Sequence, residues 1–244
     1  MSTTGVVAAL AAEARTLGSP VRREGLSSRA GTLIAVSGIG GVAAGTAARA
    51  LVQAGATALV SWGMAGGLDP ALRAGTICLP STVVSAEGET MATDTRWCAI
   101  VAASLSARRR RTVVAGRLLT SAAAIADIAG KAAAFRRFGA AAVDMESFEV
   151  AKIAATHGLP FIAVRVIVDT AADVLPAVVL AASSAGRVQV SRLLLGVVRS
   201  PRAVAPLWRL ARRYRAAVRA LVAVAGTGAL APLADAAAGS ARIA

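Results

Sequence analysis

Four acidic side chains are concentrated in one largely apolar stretch, residues 142–169, although the 244-residue chain contains only 13 acidic residues. They are Asp144, Glu146, Glu149 and Asp169. Glu146 directly follows Met145, and Asp169 ends a hydrophobic run. Because buried carboxylates are costly without a partner, these acids are the first candidates for a functional site.

These residue types suit a sugar and a leaving base. A carboxylate such as Glu146 accepts hydrogen bonds from both hydroxyls of a cis-diol, and the thioether of Met145 offers a polarisable wall to a sugar ring. A partly desolvated carboxyl such as Asp169 holds a proton that it can donate to a leaving heterocycle. Together they fit cleavage of a nucleoside N-glycosidic bond through an oxocarbenium-like state.

A purely structural interpretation accounts for the same residues. Asp144 and Glu146 would cap the following helix, where an acid meets the helix dipole favourably, and Asp169 would pair with Arg165. Residue types alone leave both interpretations open.

The surrounding pattern predicts the elements that position these acids. Apolar runs predict strands at residues 4–10, 32–36, 57–61, 76–84, 112–118, 140–143 and 161–168, and helices at 42–54, 125–138 and 146–156. Gly158 and Pro160 predict the end of the last helix. Apolar strands alternating with helices indicate a single α/β domain with a central mixed, mostly parallel sheet flanked by helices.

Ligands of such sheets bind at the carboxyl ends of the strands, and the uncommon residues of this sequence follow those ends. Glu13 follows the first strand, a glycine-rich turn at 37–41 the second, and another at 63–67 the third. The pair at 145–146 and Asp169 follow the last two strands. Together these positions predict a small-molecule site at one edge of the sheet.

Composition restricts the class of protein. A hydrophobic content of 56% is too high for a disordered chain. Two cysteines and a single histidine make a zinc site or a disulfide unexpected, so we expect no metal, no cofactor and a cytoplasmic protein. No secretory signal is expected. The uncharged stretches 30–48 and 50–68 contain too many glycine and polar residues to be predicted as membrane spans.

The net charge of +14 comes almost wholly from arginine, since Lys131 and Lys152 are the only lysines. One arginine run occupies residues 108–111. The larger group comprises Arg187, Arg192, Arg199, Arg202, Arg209, Arg212, Arg213, Arg215 and Arg219. Such a group suits an anionic membrane surface as readily as nucleic acid.

The last part of this basic region predicts an amphipathic helix. Its apolar side chains recur at spacings of three and four at Leu207, Leu210, Tyr214, Val218 and Leu221. The helix would either pack this face on the domain and expose a basic face, or rest on anionic lipid together with residues 192–201.

The alternative to an enzyme is a non-catalytic protein that binds a nucleoside or nucleic acid. Of the two ligands, we do not expect nucleic acid as a partner.

Five motifs, in their order along the chain, resemble the nucleoside phosphorylase/methylthioadenosine nucleosidase superfamily. They are AALAAEAR at 8–15, SGIGG at 37–41, GMAGGLDPALRAGT at 63–76, VDMES at 143–147 and PFIAVRVIVDTAAD at 160–173. Within the superfamily, the chain is most similar to the hopanoid-associated phosphorylases that cleave adenosylhopane. The resemblance implies a nucleoside phosphorylase-like catalytic core at 1–173. Residues 174–244 would be a helical, membrane-facing extension of the same domain with a flexible tail.

The resemblance also implies roles for single residues. Asp169 would protonate the purine at N7 as the bond breaks, Glu146 would hold the ribose diol, and Met145 would pack on the ribose. Glu13 stands where hydrolytic relatives keep the carboxylate that orients the attacking water. The remaining candidates are Ala65, Gly66 and Val143 for the base and ribosyl side, and Gly40, Arg15 and Arg49 for a phosphate.

Three positions depart from the family pattern. Ser61 stands where phosphorolytic relatives have an arginine, Met64 where hydrolytic relatives have a serine, and Ala124 where relatives often present an aromatic ring to the purine. The nucleophile, water or inorganic phosphate as co-substrate, therefore stays open. So does the choice between a lipid-linked adenosine and soluble methylthioadenosine or S-adenosylhomocysteine. We expect adenine as the released base, a homo-oligomer, and a cytoplasmic protein peripheral to the inner face of the membrane.

Overall fold

The computed structural model describes residues 2–18, 26–29, 31–106, 112–175 and 204–231, with side chains of the last segment described from residue 211. Several sequence features lie outside the described residues. They are the arginines at 108–111, Arg187, Arg202, the segment 192–201, the tail after 231, and the side chains of Leu207, Arg209 and Leu210.

Eleven strands and six α-helices are formed by the described residues. The strands are β1 (Thr4–Ala8), β2 (Leu26–Arg29), β3 (Thr32–Val36), β4 (Ala58–Gly67), β5 (Ile77–Cys78), β6 (Thr82–Ser85), β7 (Thr90–Ala92), β8 (Val113–Val114), β9 (Arg117–Thr120), β10 (Ala140–Asp144) and β11 (Phe161–Asp169). The helices are α1 (Ala11–Ala14), α2 (Gly41–Gln53), α3 (Thr95–Ser106), α4 (Ile128–Phe138), α5 (Ser147–Thr156) and α6 (Val204–Ala225), with a 3-10 turn at Arg15–Leu17.

All eleven strands belong to one sheet with the order β2-β3-β1-β4-β10-β9-β6-β7; β11 pairs with β4 and β5, and β5 pairs with β8. The pairs β1–β3, β1–β4, β4–β11, β9–β10, β6–β9 and β5–β8 are parallel. The other four, β4–β10, β5–β11, β2–β3 and β6–β7, are antiparallel. The predicted mixed, mostly parallel sheet is therefore confirmed.

Strand β4 is where the other strand ends meet. Ala8, the last residue of β1, pairs with Trp62. Asp169, the last residue of β11, pairs with Gly66. Strand β10 runs antiparallel to β4 and places Val143 beside the same Gly66. The residues that follow β1, β10 and β11 are thus brought to the 62–66 segment of β4.

Helices cover both faces of the sheet. On one face, α2 and α5 contribute Leu51 and Phe148 to a buried cluster with the sheet. On the other, α3 and α6 contribute Trp97 and Leu221 to a second cluster with β1 and β11. The central strands β1, β4 and β11 are almost wholly buried, which explains their continuous apolar sequences.

The structure corrects the boundaries of three predicted strands. The glycine-rich segment 63–67 is not a turn but the second half of β4, because its backbone pairs with both β10 and β11. The predicted strand at 76–84 is divided around Pro80, which has no N–H to donate to a ladder. The predicted strand at 112–118 is divided at Gly116, whose φ is 122°.

Helix α4 begins at Ile128 rather than at residue 125. Asp127 caps it, since its side chain accepts a hydrogen bond of 2.7 Å from the Gly130 amide. The sequence patterns gave no indication of α1, β2, β7 or α3.

The C-terminal helix α6 packs on the domain along a stripe shifted from the predicted one. Ala217, Ala220, Leu221 and Val224 are buried in the cluster that contains Trp97, whereas Tyr214 and Val218 are only half-buried. Small alanine side chains let the helix approach the sheet closely. No helix within the described ranges is both long enough and apolar enough to cross a bilayer.

Candidate active site

A single buried guanidinium organises the carboxylates at the strand ends. Arg165 on β11 is 1% exposed, and its Nε and Nη2 both lie 2.7 Å from Asp144 Oδ2. Nη2 also donates to the hydroxyls of Ser61 and Ser147, at 2.7 and 3.2 Å, and lies 3.5 Å from Glu146 Oε2. Burial lowers the pKa of Arg165, but its acidic neighbours together raise it above its ordinary value, so the cation is retained.

Glu13 enters the same cluster from the first turn after β1. Its carboxylate accepts hydrogen bonds from the Met64 amide at 2.8 Å and the Leu10 amide at 3.0 Å. Gly63 permits this approach, because a Cβ built there would lie 2.5 Å from both Glu13 Oε1 and Arg165 Nη1. Burial raises the pKa of Glu13, and the charge of Arg165 opposes that rise.

Glu146 lies at the N-terminus of α5 and reaches the glycine-rich turn before α2. Its Oε1 accepts a hydrogen bond of 3.0 Å from the Gly40 amide. Burial raises its pKa to about 7, Arg165 opposes the rise, and Asp144 adds to it. The half-buried Met145 precedes it at the mouth of β10. A carboxylate and a thioether are therefore adjacent at one strand end.

Asp169 lies at the end of β11, beside the residues expected on the base side. A Cβ on Gly66 would lie 3.3 Å from both Asp169 Oδ2 and Val143 Cγ1, so these three residues are direct neighbours. Ala65 precedes Gly66 in β4 and is buried. Burial raises the pKa of Asp169. A carboxyl in this setting retains its proton more readily than an exposed one does.

The prediction that Asp169 pairs with Arg165 is wrong. Asp169 pairs with Lys131 of α4, and Arg165 pairs with Asp144 and Glu146. The helix-capping part of that structural interpretation holds for one acid: both Asp144 carboxylate oxygens accept from the Ser147 amide, at 3.4 and 3.2 Å.

The three phosphate candidates lie in different settings. Gly40 donates its amide to Glu146, so it lies within the carboxylate cluster. Arg15 is exposed at the start of the 3-10 turn. Arg49 is exposed on α2, eight residues beyond Gly41, which corresponds to about 12 Å along a helix axis.

Two residues at the site, Lys131 and Tyr214, are not predicted from the sequence patterns. Lys131 is one of only two lysines in a chain rich in arginine, and this scarcity is the one signal for it in the sequence. Tyr214 of α6 lies near Glu13. Burial raises the pKa of its phenol, Glu13 adds to the rise, and Arg15 opposes it. Helix α6 therefore borders the site on the Glu13 side.

The comparisons with known proteins agree with this architecture. The sequence profile of the phosphorylase superfamily matches residues 3–199. No curated protein shows significant similarity to the chain. Among solved structures, the chain is similar to 5'-methylthioadenosine/S-adenosylhomocysteine nucleosidase from Neisseria meningitidis in complex with methylthio-immucillin-A. That match has a TM-score of 0.68 and 17% identity, and covers 93% of this chain and 100% of the other.

Two further structures have the same fold. A candidate methylthioadenosine nucleosidase from Weissella paramesenteroides is 25% identical with a TM-score of 0.61, over 69% of this chain and 88% of the other. Futalosine hydrolase of Helicobacter pylori is 15% identical with a TM-score of 0.65, over 92% and 97%. With a family profile matched over most of its length and the strand-end acids in place, the chain belongs to the phosphorylase superfamily.

Proposed function

We propose that the protein cleaves the N-glycosidic bond of a purine nucleoside and releases adenine. The observation that carries this proposal is the pair of buried carboxyls at the ends of β10 and β11. Both acids are buried, Asp169 lies beside Gly66, and burial raises the pKa of each. The superfamily membership supports the same reaction class, a nucleoside phosphorylase or N-ribosyl hydrolase.

The two carboxyls have different tasks in this reaction. Asp169 donates its proton to N7 of the purine as the C1'–N9 bond breaks, so that the bonding electrons leave on a neutral base. Glu146 accepts hydrogen bonds from the ribose hydroxyls, and Met145 packs on the ribose. Ala65, Gly66 and Val143 flank the base and ribosyl side.

The acidic residues at this edge of the sheet favour water over phosphate as the nucleophile. A phosphate dianion at this edge of the sheet would approach both Glu13 and Glu146. The guanidinium between them, Arg165, is 1% exposed and already bound to Asp144. Repulsion by two carboxylates disfavours the anion, whereas Glu13 can orient a water molecule by accepting its hydrogen bond.

The proposed substrate is a lipid-linked adenosine of the adenosylhopane type. The motif resemblance supports it, and so does α6, which borders the site through Tyr214 and exposes Arg212, Arg215 and Arg219. A basic helix near the site would place the protein at an anionic bilayer from which the ribose of such a lipid projects.

A soluble substrate is the second candidate. Its support is the fold similarity to the methylthioadenosine/S-adenosylhomocysteine nucleosidase, which extends over 93% of this chain. In that case α6 serves only to cover the sheet.

One assay separates these alternatives. Adenine release is measured by chromatography for methylthioadenosine, S-adenosylhomocysteine, adenosine and a lipid-linked adenosine in mixed vesicles, each with and without inorganic phosphate. The proposal predicts fastest release from the lipid-linked substrate, independence of phosphate, and a lipid-linked ribose that carries a hydroxyl at C1' as the second product. Faster turnover of methylthioadenosine supports the second candidate. Dependence on phosphate with a ribose 1-phosphate product contradicts the water nucleophile. Absence of adenine release from every substrate contradicts the proposed function.

A further inference from the structure

Lys131 is a fully buried lysine whose ammonium is bound on all sides. It lies on α4 with 0% of its surface exposed. Its Nζ donates hydrogen bonds to Asp169 Oδ2, to the Thr170 carbonyl at 2.9 Å and to the Asp173 carbonyl at 3.0 Å. An ammonium has three donors, and each has a partner here. Burying such a cation is costly unless it is paired, so the position of Lys131 indicates that a positive charge is needed beside Asp169.

The same ammonium connects α4 to the loop that follows the last strand. Besides the two carbonyl contacts of Lys131, the Leu175 amide donates to the Ala126 carbonyl at 2.8 Å. Asp173 in this loop accepts from Thr170 and forms an ion pair with Arg213 of α6. The loop is therefore held from three directions, and its backbone fixes where the ammonium lies relative to Asp169.

Within the described part of the chain, only Lys131 donates a hydrogen bond to the Asp169 carboxyl, and it does so through Oδ2. Both carboxyl oxygens lie beside Gly66, with Oδ2 at 3.3 Å and Oδ1 at 3.5 Å from a Cβ built on that glycine. Of the two, Oδ1 is the oxygen that accepts no hydrogen bond from the described residues. One oxygen is thus committed to the cation and the other is available to the substrate.

We propose that Lys131 is the positioning residue of the general acid: it holds Asp169 by one oxygen and stabilises the carboxylate that forms when the proton moves to the base. This inference rests on the proposed function. The proton leaves Asp169 for N7 of the purine, the electrons of the C1'–N9 bond leave with the base, and Asp169 becomes an anion beside a fixed ammonium. Without that ammonium, a buried carboxylate would form with no cation bound to it, which raises the barrier to proton donation.

The charged groups facing Asp169 decide the expected pH dependence. Burial raises the pKa of Asp169, Lys131 on α4 lowers it, Asp173 in the following loop raises it, and Arg213 on α6 lowers it. Removal of Lys131 therefore raises the pKa of Asp169 further. Because the general acid acts in its protonated form, the alkaline limb of the kcat/KM profile should move to higher pH even though the acid is weaker.

The test compares Lys131→Met, Lys131→Arg and Lys152→Met, the last removing the other lysine of the chain, which is exposed on α5. We expect Lys131→Met to lower kcat by about tenfold or more with little change in KM, and to move the alkaline limb upward by about one to three units. Lys131→Arg should restore part of both effects, and Lys152→Met should leave both unchanged. Thermal unfolding of each variant shows whether it is folded.

A second measurement does not depend on turnover. Carbon-13 labelling of aspartate carboxyls, with Asp169→Asn to assign the signal, gives the titration of Asp169 directly by NMR. The inference predicts a higher titration midpoint in folded Lys131→Met than in wild type. An unchanged midpoint, or an unchanged pH profile in a folded and active variant, overturns it. If wild type cleaves no purine nucleoside but the midpoint still moves, the proposed function fails while the link between Lys131 and Asp169 stands.

Discussion

At the scale of single residues, the site depends on how closely the guanidinium of Arg165 approaches each of the neighbouring carboxylates. Arg165 contacts Asp144 at 2.7 Å but Glu146 only at 3.5 Å, so the guanidinium interacts more strongly with Asp144 than with Glu146. Burial raises the pKa of Glu146 to about 7, and the charge of Arg165 only partly opposes that rise. Asp144 is structural, whereas Glu146 is poised between its neutral and ionised forms near neutral pH.

This division predicts a pH dependence that can be traced to Glu146. Its pKa is higher in the folded protein than in the unfolded chain, so its contribution to stability is complete below the unfolded pKa and is lost as the pH rises through about 7. Between about pH 5 and about pH 8, wild type should lose more free energy of unfolding than Glu146→Gln does, as measured by urea denaturation. Glu87→Gln, in an exposed loop, should behave as wild type.

The same titration should control substrate binding in the opposite sense. The ribose hydroxyls donate to the ionised carboxylate, so KM for the nucleoside should fall as the pH rises through the pKa of Glu146. In Glu146→Gln, KM should be higher and should no longer vary with pH over this interval. Steady-state kinetics at several pH values measure both effects. A wild-type KM that is constant across the interval would argue against a diol-binding role.

At the scale of the elements, β4 determines the arrangement of the site, because its glycines leave room for side chains from neighbouring segments. Gly63→Ala should displace Glu13 and Arg165, since the added methyl would lie 2.5 Å from an atom of each. We expect a loss of about 1–3 kcal/mol of stability, the range for overpacking, together with a strong loss of activity. Urea denaturation and the adenine-release assay measure the two effects.

Gly45→Ala is the matched control for that substitution. Gly45 lies in the interior of α2, and an added Cβ would make only an ordinary contact of 3.6 Å with Glu149. Because alanine favours helix more than glycine does, this variant should be more stable by up to about 1 kcal/mol. If both substitutions changed stability and activity equally, the close approach of Glu13 and Arg165 to Gly63 would not be important for the site.

The sequence predicted the strand-end acids better than it predicted their partners. Hydrophobic runs and glycine signals depend on neighbouring residues, so β3, α2, α5 and β11 appear within one or two residues of their predicted bounds. Ion pairs depend on how distant segments come together. Asp169 pairs with Lys131, 38 positions away and on another element, and a local pattern suggested Arg165 instead. The short elements α1, β2 and β7 carry too few residues for a recognisable period.

At the scale of the whole molecule, the arginine excess is the property that the buried core does not explain. Arg212, Arg215 and Arg219 are exposed on α6, while Arg213 pairs with Asp173 and lowers its pKa to about 2, against the effect of burial. Arg213 therefore joins the helix to the loop after β11. The positive charge at the exposed surface of the helix is suited to an anionic surface.

Vesicle flotation tests that surface. The protein should float with vesicles containing anionic lipid at low salt and be released at high salt, since each basic residue contributes on the order of 1 kcal/mol near such a surface. The double change Arg212→Glu and Arg215→Glu should abolish flotation. Arg136→Glu with Arg137→Glu, an equal charge change on exposed positions of α4, should not. If wild type does not float, or both pairs have the same effect, the proposed membrane contact at α6 is wrong.

The central claim is that Asp169 donates the proton that releases the base. Its most direct test is single-turnover adenine release by wild type and by Asp169→Asn, using the best substrate of the nucleoside panel. We predict a decrease of at least about a hundredfold in the chemical step, with folding preserved and nucleoside still bound. Asp69→Asn, which changes an acid in the loop after β4, should retain wild-type activity. Release by folded Asp169→Asn at the wild-type rate would contradict the account.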